Sequence, residues 1–273
     1  MKKIALTSLL AVFAASSAMA ANVIDGNPLY MPEQGHFYSV TDLSSHSGKQ
    51  DIKSWALDEE FGYGVMKNLA VNVRAGLDEE HSFDDYGWKD FGLKATFRAL
   101  DLGDFKFDVY GAYDVEDGLA YHYKDLNKTK WFEKDLTKYT WTAGIRSGYT
   151  MCAFTLAGRV EFMYVNTESF NWNHNGEQYL LVGLDGQYVI NDDFNLVATV
   201  EYTGELDKTD LEGETVKNAG TWMGEFGVNY NIDETKYVGL YVNGSLNHQG
   251  GNNHDDWKAD QGFGFGAKFG IDF

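Results

Sequence analysis

The chain of 273 residues contains a single cysteine, Cys152, and only two prolines, Pro28 and Pro32. One cysteine excludes an intramolecular disulfide, and with it the small secreted scaffolds that depend on disulfides for their stability. Both prolines precede residue 35, and no proline- or serine-rich linker follows them. The scarcity of linker-forming residues therefore favours one continuous domain over two linked domains.

Basic residues and long apolar runs are also scarce. Lys and Arg total 22 against 41 Asp and Glu, which gives a formal net charge of -19. This balance argues against nucleic acid as a partner and against binding to anionic lipid by simple attraction. Beyond the first 20 residues, no apolar run approaches the roughly 20 residues that a transmembrane helix requires. A membrane protein built from strands stays possible, because alternating strands have a low average hydropathy.

The N-terminus has the three parts of a secretory signal peptide. The basic pair Lys2–Lys3 precedes an apolar run that is too short to span a bilayer, and an Ala-Met-Ala sequence ends at Ala20. We therefore predict a signal peptide over residues 1–20 and export of the mature chain from the cytoplasm. Residues 21–34 are predicted to form an N-terminal periplasmic segment.

The last thirteen residues alternate strictly between two kinds of side chain. Every second position from Phe263 to Phe273 is apolar, and the positions between them are glycine, Lys268 or Asp272. A period of two places the apolar residues on one face of a strand and the small or polar residues on the other. The last strand of a soluble β-sandwich could show the same pattern, so the rest of the chain has to decide.

Alternating segments recur from Gly35 to the C-terminus, and they predict twelve antiparallel strands. The approximate bounds are 35–44, 54–65, 69–78, 87–100, 105–115, 138–149, 153–165, 177–190, 194–204, 219–230, 236–246 and 261–273. Short connections alternate with longer loops, which is typical of an outer-membrane up-and-down β-barrel, here over residues 35–273. An even number of strands would place both termini on the periplasmic side.

The faces of these strands distinguish a soluble barrel from a transmembrane one. One face carries aromatic and branched side chains, such as Phe91, Leu93 and Phe97, while the other carries Gly, Thr and charged residues. A soluble barrel would crowd the large side chains into its interior, whereas a transmembrane barrel directs them toward lipid and keeps its lumen polar. We predict an all-β transmembrane barrel. Glu59 breaks the outward pattern of the second strand, and the first hairpin is the least regular.

All four arginines of the chain fall on the predicted inward face. The residues predicted to line the lumen and its constriction are Arg74, Lys94, Arg98, Arg146, Arg159, Glu161, Asp185, Glu201, Glu225 and Lys268. In one interpretation, the arginines face the acids across a water-filled constriction, whose transverse field orients small polar solutes. In the other, arginines and acids pair and fill the lumen. Twelve strands lie between the filled eight-stranded barrels and the open porins, so strand number leaves both interpretations open.

The signal peptide, the alternating strands and the terminal Phe together resemble bacterial outer-membrane β-barrel proteins. This resemblance implies a Gram-negative outer membrane, contact with its lipid and lipopolysaccharide, and assembly by the barrel-assembly machinery. It identifies Phe269, Ile271 and Phe273 as the insertion signal that this machinery reads.

Within this class, the strand number and the length resemble the small monomeric porins specific for oligogalacturonate and sialic acid. Members of that family line the pore with basic residues for acidic sugars. The four arginines fit this pattern in part, whereas the many inward acids depart from it. Only the architecture and the channel class are therefore carried over from the resemblance.

These observations predict a small passive, porin-like channel for small hydrophilic solutes. The alternative is a closed, side-chain-filled barrel with a structural or surface-interaction role. We expect no enzyme activity, because no base, nucleophile and orienting group come together in the predicted loops. We expect no cofactor and no metal site, since ordinary loop composition explains the polar residues around His248 and His254.

Overall fold

The computed structural model describes only part of the chain. The described residues are 26–47, 53–80, 85–123, 128–131, 136–169, 174–206, 210–211, 214–215, 220–248 and 259–273. All regular secondary structure within these ranges is β-strand. No helix in the described part of the chain is long and apolar enough to cross a membrane. The predicted signal peptide, residues 1–20, lies outside the described residues.

Twelve long strands form one closed antiparallel sheet. They are β1 (Phe37–Ser47), β2 (Lys53–Met66), β3 (Leu69–Glu80), β4 (Asp85–Asp101), β5 (Phe105–Tyr123), β7 (Leu136–Met151), β8 (Phe154–Ser169), β9 (His174–Val189), β10 (Phe194–Glu205), β13 (Gly220–Asp233), β14 (Lys236–His248) and β15 (Ala259–Asp272). Three short strands lie between them: β6 (Lys128–Trp131), β11 (Asp210–Leu211) and β12 (Glu214–Thr215). Each long strand pairs with the next, and β1 pairs with β15. The prediction of a twelve-stranded up-and-down barrel is confirmed.

Strands β1 and β15 close the barrel. Their register runs from Tyr38 opposite Asp272 to Ser47 opposite Phe263. Phe273 extends this ladder, because it exchanges two backbone hydrogen bonds with Phe37 at N–O distances of 2.8 and 2.9 Å. The two rings also stack, with their centroids 6.4 Å apart. The last residue therefore belongs to the sheet, and the closure leaves neither β1 nor β15 as an unpaired edge.

The connections divide the barrel into two ends. At one end, called here the short-turn end, five connections of two to four residues join the strands: 67–68, 102–104, 152–153, 190–193 and 234–235. The other end is called the loop end. Several strands extend further toward the loop end than the alternation predicts; β5, for example, reaches Tyr123 instead of residue 115. Ladder hydrogen bonds continue there without a strict apolar face, so hydropathy does not mark the strand ends.

The outer surface of the barrel is apolar over its middle. Phe91, Leu93 and Phe97 of β4 are 44%, 49% and 46% exposed, while the residues that alternate with them point inward. A soluble monomer does not expose apolar surface on this scale, whereas a bilayer solvates it. The long strands have 11 to 19 residues, which exceeds the roughly 10 that a tilted strand needs to cross the hydrocarbon core. We therefore treat the outer surface as lipid-facing.

One carboxylate interrupts this surface. Glu59, in the middle of β2, accepts hydrogen bonds from the hydroxyl groups of Ser39 and Thr41, the latter at 2.6 Å. Both hydroxyls belong to the neighbouring strand β1. Polar groups that would be costly in lipid singly are thus paired with one another. This pairing explains the irregular outward pattern of the first hairpin.

Candidate functional site

The lumen contains a dense set of charged side chains. The strand alternation that sends apolar residues outward directs charged residues toward the barrel axis. The buried charged residues that point inward are Asp42, Asp58, Glu60, Arg74, Asp90, Arg98, Asp108, Asp114, Glu116, Lys138, Arg146, Arg159, Glu161, Asp185 and Glu201. An isolated buried charge is costly, so the partners of each group determine what the lumen can do.

Arg159 of β8 is the centre of the first charge network and is only 4% exposed. Its Nη1 donates to both carboxylate oxygens of Asp185 at 2.6 Å, and its Nη2 donates to Glu201. Its Nε lies 3.6 Å from Oε1 of Glu161. Gly183 makes this reach possible: it lies opposite Arg159, and a Cβ there would come within 2.9 Å of Nε. One guanidinium thus lies among three carboxylates.

A second network has one carboxylate between two guanidinium groups. Asp108 of β5 lies directly between Arg98 of β4 and Arg146 of β7 in the strand register. Arg98 Nε donates to Oδ1 at 2.8 Å, and Arg146 Nη2 donates to Oδ2 at 2.6 Å. Asp108 is fully buried, so both of its oxygens are stabilised by a cation.

A third network surrounds Arg74 of β3. Its Nη2 lies 3.3 Å from Asp90 and 3.2 Å from Asp114. Gly92 lies opposite Arg74 in the register, and a Cβ at this glycine would be 2.3 Å from Oδ1 of Asp114. The missing side chain therefore lets a carboxylate of β5 reach across β4 to the arginine.

Tyrosine rings lie flat on the inner wall instead of crossing the lumen. Four inward tyrosines each face a glycine on the neighbouring strand: Tyr38 and Gly62, Tyr110 and Gly144, Tyr237 and Gly270, Tyr241 and Gly266. A Cβ at any of these glycines would lie 2.0 to 2.5 Å from the ring. Three of the hydroxyl groups donate to carboxylates, as in Tyr110 to Glu161 at 2.7 Å. These glycines, two of which lie on the last strand, leave room for the aromatic rings to lie against the wall.

Two lysines lie over these rings. Lys268 Nζ is 4.2 Å from the ring centroid of Tyr241 and donates to Oε1 of Glu225 at 2.7 Å. Lys94 Nζ is 4.3 Å from the ring centroid of Tyr110. Both lysines keep partial exposure, unlike the buried arginines. Water in the lumen therefore reaches these two lysines more readily than the arginines.

Two groups of partly exposed polar residues lie on opposite walls of the lumen. The first group, called here the first polar arc, consists of Asn72, Lys94 and Thr142 on β3, β4 and β7. The second polar arc consists of Thr199, Glu225, Asn243 and Lys268 on β10, β13, β14 and β15. The strand order places these two sets of strands on opposite sides of the barrel. The arginines are therefore buried and paired with acids, while the polar groups of the two arcs keep contact with solvent.

Residues 26–36, called here the N-terminal segment, lie inside the short-turn end of the barrel. The segment is held to β2 by backbone hydrogen bonds between Gly64 and both Gly35 and His36. The carbonyl oxygen of Leu29 accepts a hydrogen bond from Arg98 Nη2 at 2.6 Å, and Leu29 is 1% exposed. The segment therefore reaches from β2 to the wall at β4.

The beginning of the N-terminal segment reaches a different part of the wall. A Cβ at Gly26 would lie 2.4 Å from Val197 and 2.7 Å from the amide nitrogen of Asn229, on β10 and β13. Tyr30 donates to Asp272 of β15 at 2.8 Å. Burial raises the pKa of Tyr30 above its ordinary value, so its hydroxyl keeps the proton that it donates. Contacts with β2, β4, β10, β13 and β15 show that the segment crosses the lumen.

Both prolines of the chain belong to the N-terminal segment. Pro28 and Pro32 are buried. A proline has no backbone N–H, so an irregular segment that contains it brings fewer unsatisfied donors into a confined space. This composition suits a segment that runs through the lumen without joining the sheet.

The structure brings together some of the residues predicted from the sequence and separates others. Arg159, Glu161, Asp185 and Glu201 form one network, and Lys268 meets Glu225. The other arginines, Arg74, Arg98 and Arg146, pair instead with Asp90, Asp108 and Asp114 on β4 and β5. The sequence prediction missed Asp114 as an inward residue, although its parity with Asp108 on the same strand was a usable signal.

The predicted insertion signal lies at the seam of the barrel. Phe269 and Phe273 point outward and are 41% and 60% exposed. Ile271 lies between them on β15, opposite Ser39 of β1. All three residues are therefore placed on the lipid-facing side of the strand that closes the sheet.

Comparison with known proteins gives matches at the level of structure. No protein-family model matches the chain, and no curated protein matches its sequence. The chain is similar to the outer-membrane channel COG4313 from Pseudomonas putida F1, with a TM-score of 0.56, 10% identity and coverage of 89% of this chain and 97% of that one. It is also similar to the porin KdgM, solved in complex with disordered oligogalacturonate, with a TM-score of 0.51, 8% identity and coverage of 85% and 98%.

A third match lies outside the porins. The translocator domain of the autotransporter NalP from Neisseria meningitidis has a TM-score of 0.51, 13% identity and coverage of 97% of both chains. Identities this low establish a common fold only. The chain thus has the fold of a porin-like outer-membrane β-barrel.

Proposed function

We propose that this protein is a passive channel for small hydrophilic solutes in the outer membrane of a Gram-negative bacterium. The observation that carries the proposal is the pair of partly exposed polar arcs on opposite walls of the lumen. The channel and porin among the structural neighbours support the same class. In the orientation that we propose, the short-turn end and both termini lie in the periplasm, and the loop end faces the cell exterior.

The conducting path runs between the two polar arcs. The arginine–carboxylate networks hold long side chains against the wall, and the tyrosine rings lie flat over their glycines, so neither group needs to block the axis. Lys94 on one arc faces the Glu225–Lys268 pair on the other, which gives the path polar groups of both signs. Such a lumen suits small polar solutes and ions that keep part of their hydration.

The N-terminal segment narrows the periplasmic end of this path. Its contacts with Arg98 and Val197 place it across the lumen between β4 and β10. We therefore expect a smaller conductance than the barrel wall alone would allow. The same segment favours the second candidate function, a closed barrel with a structural or surface-interaction role.

Assembly and surface contacts complete the proposal. We propose that the barrel-assembly machinery reads Phe269, Ile271 and Phe273, and that lipopolysaccharide and lipid surround the outer wall. The exposed rings of Phe269 and Phe273 on the closing strand support this role, because a partner can reach them from the lipid side.

Planar-bilayer recording tests the channel proposal. Purified, folded protein should give stepwise currents, because water and ions pass between the polar arcs. Asn243→Trp places a large ring in the second arc and should lower the unit conductance. Val242→Trp, its matched control on the lipid face, should leave the conductance unchanged. Inserted protein without stepwise current would overturn the channel proposal in favour of the closed barrel.

A further inference from the structure

Carboxylates outnumber cations among the described inward side chains. The acids include Asp42, Asp58, Glu60, Asp90, Asp108, Asp114, Glu116, Glu161, Asp185, Glu201 and Glu225, and the cations are Arg74, Lys94, Arg98, Lys106, Lys138, Arg146, Arg159 and Lys268. The surplus is concentrated where one cation meets several acids, as at Arg159 and Arg74. Negative charge in excess of the fixed cations of a confined lumen has to be balanced by mobile cations or by protons.

The densest part of this surplus is a row of four acids and one glycine across the five neighbouring strands β1 to β5. Asp42 lies opposite Asp58, Asp58 opposite Gly76, Gly76 opposite Asp90, and Asp90 opposite Glu116. We call these four acids the acid row. Lysines stand at its two ends, Lys268 opposite Asp42 and Lys138 opposite Glu116. The strand register places no basic residue between these lysines, but Arg74 of β3, two residues from Gly76, pairs with Asp90. The four acids of the row thus outnumber the three cations beside them.

Two carboxylates of the acid row converge over its glycine. A Cβ at Gly76 would lie 2.4 Å from Oδ1 of Asp90 and 2.5 Å from Oδ1 of Asp58. Asp90 is 0% exposed, and neither of its oxygens has a hydrogen-bond partner. Its Oδ2 lies 3.3 Å from Arg74 Nη2, an ion pair that Asp114 shares. Oδ1 of Asp90 is thus a fully buried acceptor that points toward a second carboxylate.

We infer that the channel selects for cations, and that the acid row is the main source of this preference. The substrate class is small hydrated cations, inorganic or organic, and not the acidic sugars that a basic lumen would favour. The negative field of the unbalanced acids raises the concentration of mobile cations between the polar arcs. In the described part of the chain, no group of three or more His, Cys, Asp or Glu residues could hold a metal ion. The favoured cations are mobile ions of the lumen.

This inference rests on the proposed channel function. The presence of stepwise current tests the channel, and the reversal potential of that current in a potassium chloride gradient tests the cation preference. We expect potassium to be favoured over chloride about tenfold. This is the low end of the counter-ion enrichment in a cleft that is lined by charges of one sign. The double variant Asp58→Asn, Asp90→Asn removes two charges at nearly constant volume and should lower this ratio about threefold. Asp192→Asn, the matched control at an exposed turn, should leave the ratio unchanged.

The possible outcomes separate the two claims. Stepwise current that favours chloride, or that shows no preference, overturns the cation inference and leaves the channel in place. An absence of current from inserted protein overturns both. Heat-modifiable mobility in gels shows whether each variant has folded, and Glu116→Gln, at the other end of the acid row, supplies a second reduction of charge. If none of these variants folds, the ratio of the native channel still decides the inference.

Discussion

Deletion of residues 22–34 is expected to raise the single-channel conductance severalfold. Within the described part of this stretch, Leu29 lies against Arg98, and Tyr30 is hydrogen-bonded to Asp272 on the far side of the closing seam. Removing these residues should open the short-turn end of the proposed path, while the twelve strands of the barrel are left intact. Ala21 is retained so that the predicted signal-peptide cleavage site is preserved.

Glu33→Ala provides the matched control for this deletion. Glu33 lies on the same segment, but its side chain is exposed, and its backbone carbonyl still accepts from His36. We expect native conductance from this variant. A deletion variant that inserts normally but conducts like the native protein would show that the segment does not limit the path.

Arg159→Ala is expected to lower the free energy of unfolding by about 3 to 5 kcal/mol, the range found when one partner of a buried ion pair is removed. The arginine holds Asp185, Glu201 and Glu161 together on three strands, and all four groups are buried. Without it, three carboxylates share a confined space with no cation in direct contact. Denaturant unfolding of the barrel in detergent, followed by tryptophan fluorescence, measures this loss.

Two variants make the Arg159 result specific. Arg159→Lys keeps the charge but lacks the second nitrogen that donates to Glu201 while Nη1 binds Asp185, so its stability should fall between the native protein and the alanine variant. Lys236→Ala removes an ion pair at an exposed turn, between Lys236 and Asp233, and should have no measurable effect. Native stability of Arg159→Ala would mean that water, and not the guanidinium, satisfies the three acids.

The sequence allowed the barrel to be predicted because its wall obeys one rule throughout. Alternation with a period of two sets the strands, their faces and the lipid-facing surface at once, and Phe91 and Arg98 on the same strand illustrate both faces. Even the exception at Glu59 has a local explanation in Ser39 and Thr41 of the adjacent strand. Hydropathy carries no comparable signal for the loop ends, where β5 continues to Tyr123.

The pairing of charges inside the lumen was harder to predict. The contact of Arg159 with Asp185 and Glu201 requires only that neighbouring strands direct residues of like parity to the same face. The partners of Arg74 and Arg98 depend on the register between strands, which turn lengths and bulges set and which a single sequence does not show. The pairing of the arginines agrees with the hypothesis of a filled lumen. The partial exposure of the polar arcs agrees with the hypothesis of an open one.

The sequence predicted a periplasmic segment here, but not that the N-terminal segment lies inside the barrel. Its contacts join residues far apart in the chain, such as Leu29 with Arg98 and Tyr30 with Asp272, and they involve backbone carbonyls and single hydroxyls. No periodicity accompanies such contacts. The two prolines were the one local sign that the segment avoids the sheet.

The central claim is that a water-filled path runs between the two polar arcs, and cysteine accessibility tests it most directly. In a Cys152→Ser background, which removes the single native thiol, Thr142→Cys and Thr199→Cys place one thiol on each arc. Val200→Cys, on the lipid face, is the control. A charged, membrane-impermeant thiol reagent applied to channels in a bilayer should modify both arc positions and reduce their current, while Val200→Cys stays unmodified. Unmodified thiols at both arc positions in folded, inserted protein would contradict the account.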